Sequence, residues 1–350
     1  MHSPDKILII RFSSLGDIIL ASPLVRILRA AYPLARIDFL VKSEYAELLK
    51  FNRALSSVIE LKTSNREELK ELKRRIRSER YDVIVDIHNS LRSRYLRWFS
   101  AAGRIRVVNK RAIQRFALVA FRWNLYRSVI PVSDRYLETV RSLGLRDDGL
   151  GPEVHVPDET GASVKSMMEK YRLDRYETVI GMAPGARHFT KRWPLERFVE
   201  LGEKAAHAGK VKILVLGSRS EREYCGDIVQ QINANLGSAA AENLAGTLSL
   251  LETAAVLDSC TIIVSNDSGI MHMAVARKRP VVAIFGSTVR EFGFFPSGAE
   301  DVVVERMGLS CRPCSHIGLE FCPRGHFRCM KEIDSSEVWE AASKVLAGRQ

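Results

Sequence analysis

Three short stretches bring together residue types that could act on a phosphorylated ligand. In the first, residues 261–288 read TIIVSNDSGIMHMAVARKRPVVAIFGST. An apolar run over 261–264 ends in Ser265-Asn266-Asp267-Ser268-Gly269, and Met271, Met273, Ala274 and Ala276 then begin a helix of small and apolar residues. A helix start offers free N–H groups and a partial positive charge, which suits a phosphate. Asp267 could instead serve only as an N-cap, with Gly269 relieving a tight turn. In the second stretch, KILIIRF over 6–12 runs into Ser13-Ser14-Leu15-Gly16-Asp17. Asp17 there could accept a proton or simply cap the helix that follows. In the third, residues 183–194 read APGARHFTKRWP. Gly185 permits a sharp turn, and Thr190 and Lys191 can offer a hydroxyl and an ammonium to a diphosphate. Arg187 could share that task, or Lys191 and Arg192 could be exposed loop charges.

Strands and helices must hold these groups in place. Apolar runs predict strands over 6–12, 37–41, 58–61, 81–87, 178–182, 212–216, 242–245, 261–264 and 281–285. Helical spacing predicts helices over 18–28, 44–49, 64–79, 136–143, 162–171, 195–207, 228–236, 250–258 and 335–346. Strand alternating with helix is the parallel-sheet pattern, in which ligands bind outside the carboxyl ends of the strands. Glu221, just past the 212–216 strand, could accept from ribose hydroxyls, with Glu223 as the alternative; it could also be ordinary helix N-terminal charge. His272 lies one turn beyond Ser268 and can face the same ligand. Residues 288–296, TVREFGFFP, form a loop whose aromatics could wall the donor side.

The chain has 350 residues, 46% of them hydrophobic, and a formal charge of +12. That length predicts two domains, with the linker near the composition break at 147–157. No apolar run reaches the roughly 18 residues of a membrane span. The N-terminal apolar run stops at Arg11, too short for a signal peptide, so the expected location is the cytoplasm. The positive charge points to an acidic partner.

Much of that charge sits in one stretch. Residues 87–133 contain no Asp or Glu, yet hold Arg92, Arg94, Arg97, Arg104, Arg106, Lys110, Arg111, Arg115, Arg122 and Arg127, interleaved with aromatics. A solvated face usually mixes signs. The stretch could bind an anionic sugar acceptor through forked guanidinium contacts, or lie on an anionic membrane leaflet. The two readings fit together for an acceptor that is both anionic and embedded in the leaflet, whereas nucleic acid fits less well. His88, at the end of the 81–87 strand, is more often a hydrogen-bonded loop residue than a catalyst. Cys311, Cys314, Cys322 and Cys329 could hold a tetrahedral zinc or remain free thiols; their gaps are irregular.

SNDSGIMHMA followed by PVVAIFGST resembles the nucleotide-sugar signature of glycosyltransferase family 9, the ADP-heptose:lipopolysaccharide heptosyltransferases. RFSSLGDIILASPLVRILRAAYP resembles that family's opening motif, and the PGA…KRWP element resembles its phosphate-binding segment. The resemblance implies a GT-B fold, two doubly wound Rossmann-like α/β domains facing across a cleft. It implies an N-terminal acceptor-binding domain over 1–157, a nucleotide-sugar domain over 158–334, and a closing helix over 335–350 that packs back on the first domain. It implies an inverting transfer of heptose from ADP-heptose to the inner core of lipopolysaccharide, with Asp17 as the catalytic base. Thr190, Lys191, Glu221, Asp267, Ser268, Gly269 and His272 would then hold the nucleotide sugar, with no metal and no further cofactor. The expected partners are the nucleotide sugar, the anionic core acceptor and the cytoplasmic face of the inner membrane, with no nucleic acid. Two alternatives stay open: a related GT-B transferase or epimerase using another nucleotide sugar, and a non-catalytic basic protein that binds membrane surfaces or polyanions.

Overall fold

A computed structural model describes residues 3–349. The chain divides into two compact units: Met1–Ala112 with Ile130–His155, and Ile113–Val129 with Val156–Gln350. The second crossover falls two residues before the expected boundary at 157. The excursion over 113–129 into the second unit was not foreseen, because nothing in its basic and aromatic composition says which core it joins.

The first unit is built on strands β1 (Lys6–Ile10), β2 (Arg36–Lys42), β3 (Ser57–Leu61), β4 (Val83–Asp86) and β5 (Arg104–Val107). They form one sheet in the order β3-β2-β1-β4-β5, with every pair parallel. Crossovers cover both faces of such a sheet, so its central strands read as continuous apolar runs. Ile7, Leu8, Ile9 and Ile10 are all fully buried. Burying a side chain of that size is worth roughly 1.5–3 kcal/mol, so β1 is the axis of the unit. The edge strand β5 (RIRV) was missed because two of its four residues are arginines.

The helix expected over 18–28 is two helices, Leu15–Ile19 and Ser22–Ala31. Pro23 accounts for the break. It has no N–H to donate and fits only the first turn of a helix, so it opens the second one. The short first helix leaves Asp17 beside the end of β1.

The second unit carries β6 (Thr178–Ala183), β7 (Val211–Val215), β8 (Ala241–Asn243), β9 (Ile262–Asn266), β10 (Val281–Phe285) and β11 (Val302–Glu305). Their order is β11-β10-β9-β6-β7-β8, again all parallel. Strand β9 runs two residues further than expected and takes Ser265 and Asn266, both fully buried, into the sheet.

The closing helix, Ser335–Ala347, differs from the expectation that it packs on the first domain. Its buried stripe, Val338 and Ala342, joins the second unit's core with Trp193, Phe198 and Ile284. Those two residues stand four apart, on one helix face, and that face is used within its own unit.

Candidate active site

In a doubly wound sheet the crossover direction reverses once, and the crevice there is the ligand position. In the first unit the reversal lies between β1 and β4, and in the second between β6 and β9. The segments leaving those four strands carry most of the residues singled out from the sequence.

In the first unit, Asp17 sits in the short helix after β1 and is buried. Its Oδ2 is 2.6 Å from an Arg11 guanidinium nitrogen. The same oxygen accepts from the Ser14 N–H at 3.1 Å and the Ser14 hydroxyl at 2.8 Å. The Tyr136 hydroxyl donates to Oδ1 at 2.9 Å. Burial alone would raise the carboxyl's pKa. The Arg11 charge and the Ser14 donors outweigh it and hold Asp17 at about 2. Arg11 is fixed in turn: it donates to the Ile87 carbonyl at 2.7 Å and lies 5.5 Å from the centre of the Tyr136 ring. Asp17 is thus both a helix-capping group and an ionised carboxylate at a ligand position. Arg11 and Tyr136 were missed. Arg11 was visible as a lone charge ending an apolar run, while Tyr136 lies 119 residues from Asp17 and left no signal.

His88, in the segment leaving β4, packs its ring against Phe12 at 4.6 Å between centres. Burial, with Arg11 and Lys110 nearby, lowers its pKa to about 3, so the imidazole is neutral at ordinary pH. Arg92 and Arg94 are exposed on the helix that follows, Leu91–Arg97.

In the second unit, Lys191 and Asp267 meet. The Lys191 ammonium is 2.7 Å from Asp267 Oδ2, and the Thr288 hydroxyl donates to the same oxygen at 2.8 Å. Ser268 is the N-cap residue of the helix Gly269–Ala276, and its hydroxyl is 3.2 Å from that of Ser265. His272 is buried on the same helix, with its ring 6.2 Å from Phe294 in the aromatic loop. Asn266 ties the two loops together, donating to the Pro184 carbonyl at 2.6 Å and accepting from the Trp193 N–H at 3.1 Å. Asn266 was read as part of a polar loop; its burial makes it the strut between the β6 and β9 segments.

Thr190 stands differently from expectation. It is buried, and its hydroxyl oxygen accepts from the Leu319 N–H at 2.8 Å, while its own N–H donates to the Leu319 carbonyl at 3.0 Å. Thr190 therefore braces the lysine's turn against the cysteine-bearing segment. Arg187 is exposed.

Glu221 lies just past β7, at the start of the crossover that follows, in a capping box with Ser218. Its Oε2 accepts from the Ser218 N–H at 2.8 Å and hydroxyl at 2.7 Å. A Cβ on Gly185 would come 2.1 Å from Glu221 Oε1, so glycine lets the β6 loop pass this carboxylate without pushing it aside. Glu221 is thus brought to the 183–191 loop, and its capping role is real as well.

All six cysteines are free thiols. Cys311 Sγ is 3.9 Å from His326 Nε2, and burial pushes Cys329 up to about 12. Among the described residues no three His, Cys, Asp or Glu side chains form a group that could hold a metal. Nor, among them, is any helix long and apolar enough to cross a membrane.

Known proteins resemble this chain in sequence and in fold. The model of glycosyltransferase family 9 (heptosyltransferase) matches residues 69–321. Lipopolysaccharide heptosyltransferase 2 of Salmonella typhimurium is 29% identical over 301 residues, 82% of this chain and 84% of that one. Lipopolysaccharide heptosyltransferase 1 of Pseudomonas aeruginosa is 26% identical over 328 residues, covering 88% and 86%. Among solved structures, a family 9 glycosyl transferase from Veillonella parvula superposes with a TM-score of 0.80 at 21% identity, over 98% of this chain and 97% of that one. The ADP-heptose lps heptosyltransferase II of E. coli gives 0.73 at 24% identity, over 98% and 99%. The structural likeness shows the fold, the GT-B class that the sequence motifs implied. With the family model matched over most of its length, the chain belongs to glycosyltransferase family 9, the heptosyltransferases, and is a glycosyltransferase.

Proposed function

We propose that this enzyme transfers a heptose from ADP-heptose to the inner core of lipopolysaccharide, with inversion at the anomeric carbon. The observation that carries the reading is the Asp17 cluster: a buried carboxylate, ionised at physiological pH, at the first unit's switch point. As an acceptor oxygen bonds to the anomeric carbon, its proton becomes strongly acidic. A carboxylate held this low can take that proton late in the step, when the C–O bond is already forming.

The leaving ADP gathers negative charge. In the second unit, Lys191 and the helix start at Ser268 and Gly269 stabilise that charge. Asp267 holds the ammonium in place, and the ammonium in turn offsets the repulsion between that carboxylate and the diphosphate. Glu221 accepts from the ribose and His272 faces the sugar, with Thr190 bracing the lysine's turn. Arg92 and Arg94 contact phosphates on the acceptor. The chemistry calls for no metal and no further cofactor. The enzyme works in the cytoplasm at the inner membrane's inner face, where a lipid-anchored acceptor is presented.

The test is product analysis with ADP-heptose and a deacylated, phosphorylated core acceptor. A gain of one heptosyl unit, with the anomeric configuration inverted, supports the reading. An unchanged acceptor across a panel of core fragments, with a sugar moved instead from another nucleotide donor, overturns it.

A further inference from the structure

The excursion over 113–129 has a surface that the transfer chemistry does not use. It comprises most of the helix Ala112–Phe121 and the segment that returns to the first unit. Ala117 and Leu118 are the helix's buried residues. Ile113, Phe116, Phe121, Trp123, Leu125 and Val129 are all exposed, Phe116 and Trp123 by 65% and 63%. Three of the rings cluster: Phe116 meets Phe121 edge-on at 5.7 Å, and Phe121 lies 5.0 Å from Trp123. Contiguous exposed apolar patches of this kind mark interaction sites.

The patch is held rigidly. The Trp123 N–H donates to the Ala117 carbonyl at 3.2 Å, folding the return segment back on the helix. Arg122 donates to the Ser310 and Cys311 carbonyls at 3.1 and 3.2 Å, and the Asn124 amide donates to Glu291 at 2.9 Å. The aromatics are therefore presented by a braced element. Charge identifies the partner. The excursion lies inside the acid-free stretch 87–133 and carries Arg115, Arg122 and Arg127 with no carboxylate of its own. Aromatic rings on a segment whose own charges are all guanidinium groups, with Glu291 at its edge spent on the Asn124 amide, match the boundary of an anionic bilayer: rings seat at headgroup depth and cations meet the lipid phosphates.

We propose that residues 113–129 are the element by which this enzyme docks on an anionic lipid bilayer, with Phe116, Phe121 and Trp123 inserting at the headgroup level. The inference deepens the proposed use of a lipid-anchored acceptor, and it rests on that reading for its purpose alone. Its vesicle readouts, exchange and co-sedimentation, use neither donor nor acceptor, so the two can fail separately.

The full-length protein is mixed with vesicles of phosphatidylethanolamine and phosphatidylglycerol, and separately with vesicles of phosphatidylcholine. Amide hydrogen exchange is then followed. The expected result is slowed exchange over 113–129 with the anionic vesicles only. Replacing Phe116, Phe121 and Trp123 together by Ser should weaken vesicle co-sedimentation by at least about tenfold, while heptose transfer to a lipid-free core acceptor is kept. Unchanged exchange over 113–129, or equal binding of the triple variant, overturns the proposal. So does a loss of self-association in that variant without any vesicle binding by the parent, which would make a second copy of the chain the occupant.

Discussion

Asp17 and Asp267 both lie beyond strands that flank the reversal of their sheet, Asp17 after the first strand, β1, and Asp267 after β9 on the other side of the reversal, and each is met by a cation and at least one hydroxyl. Asp17 has Arg11 at 2.6 Å and Tyr136 at 2.9 Å, while Asp267 has Lys191 at 2.7 Å and Thr288 at 2.8 Å. The difference lies in the cation. Arg11 is a planar fork whose other arm is spent on the Ile87 carbonyl, in a pocket closed by the Tyr136 ring. It cannot turn to a ligand, so the product of that cluster is a fixed, ionised carboxylate. Lys191 carries a compact ammonium on a flexible stem. It can stay in contact with Asp267 and still share its remaining donors with a phosphate. On the proposed reading, similar parts yield a base in one unit and an anion site in the other.

Substitutions can break this contrast in a predictable order. Asp17→Asn keeps the shape of the first cluster and removes its basicity. Turnover should fall about a thousandfold with donor affinity nearly unchanged. Single-turnover rates and donor titration measure the two separately, and near-normal turnover would refute the base. Lys191→Ala should lower kcat by about a hundredfold and weaken ADP binding as well. Unchanged values of both would remove the lysine from the anion site.

Arg11→Gln sharpens the comparison through pH. In the parent, Asp17 titrates at about 2, below the roughly 3.9 of an unfolded aspartate. Its folded pKa is depressed, so its contribution to stability is full above about pH 5 and is lost as pH falls toward 2. Without the guanidinium, burial dominates and the carboxyl's pKa rises. The acid limb of the kcat/KM profile should then move up into the assayed range, and urea unfolding at pH 7 should show a loss of about 3–5 kcal/mol. A pH profile that stays in place would mean that Arg11 does not set the carboxylate. Smaller still, Thr288→Val should cost a few-fold in donor affinity through one lost hydrogen bond to Asp267. His88→Gln should leave the pH profile between 5 and 8 unaltered, since that imidazole is already neutral.

The sequence made one member of the first cluster and both charged members of the second visible. Asp17, Lys191 and Asp267 sit where a local pattern of apolar run, small polar turn and helix marks the end of a strand. Arg11 was equally local, but a charge closing an apolar run reads first as a boundary. Tyr136 reaches Asp17 from more than a hundred residues away, and no single-chain periodicity reports such a contact. Central strands such as β1 and β10 were legible because burial on both faces makes them continuously apolar, whereas the edge strands β5 and β11 carry charge and went unseen. Thr190 was read for its hydroxyl, and the Leu319 backbone that takes it up lies in a segment whose cysteines drew attention to metal chemistry instead. The closing helix announced an apolar stripe but not the core it would join.

The central claim is sugar transfer driven by the Asp17 carboxylate. Its most direct test is ADP release from ADP-heptose, measured with and without a phosphorylated core acceptor, in the parent and in Asp17→Asn. The account predicts release that depends on the acceptor in the parent and is lost in the variant, with ADP-heptose still bound by both. Acceptor-dependent release at the parent's rate in Asp17→Asn would contradict it.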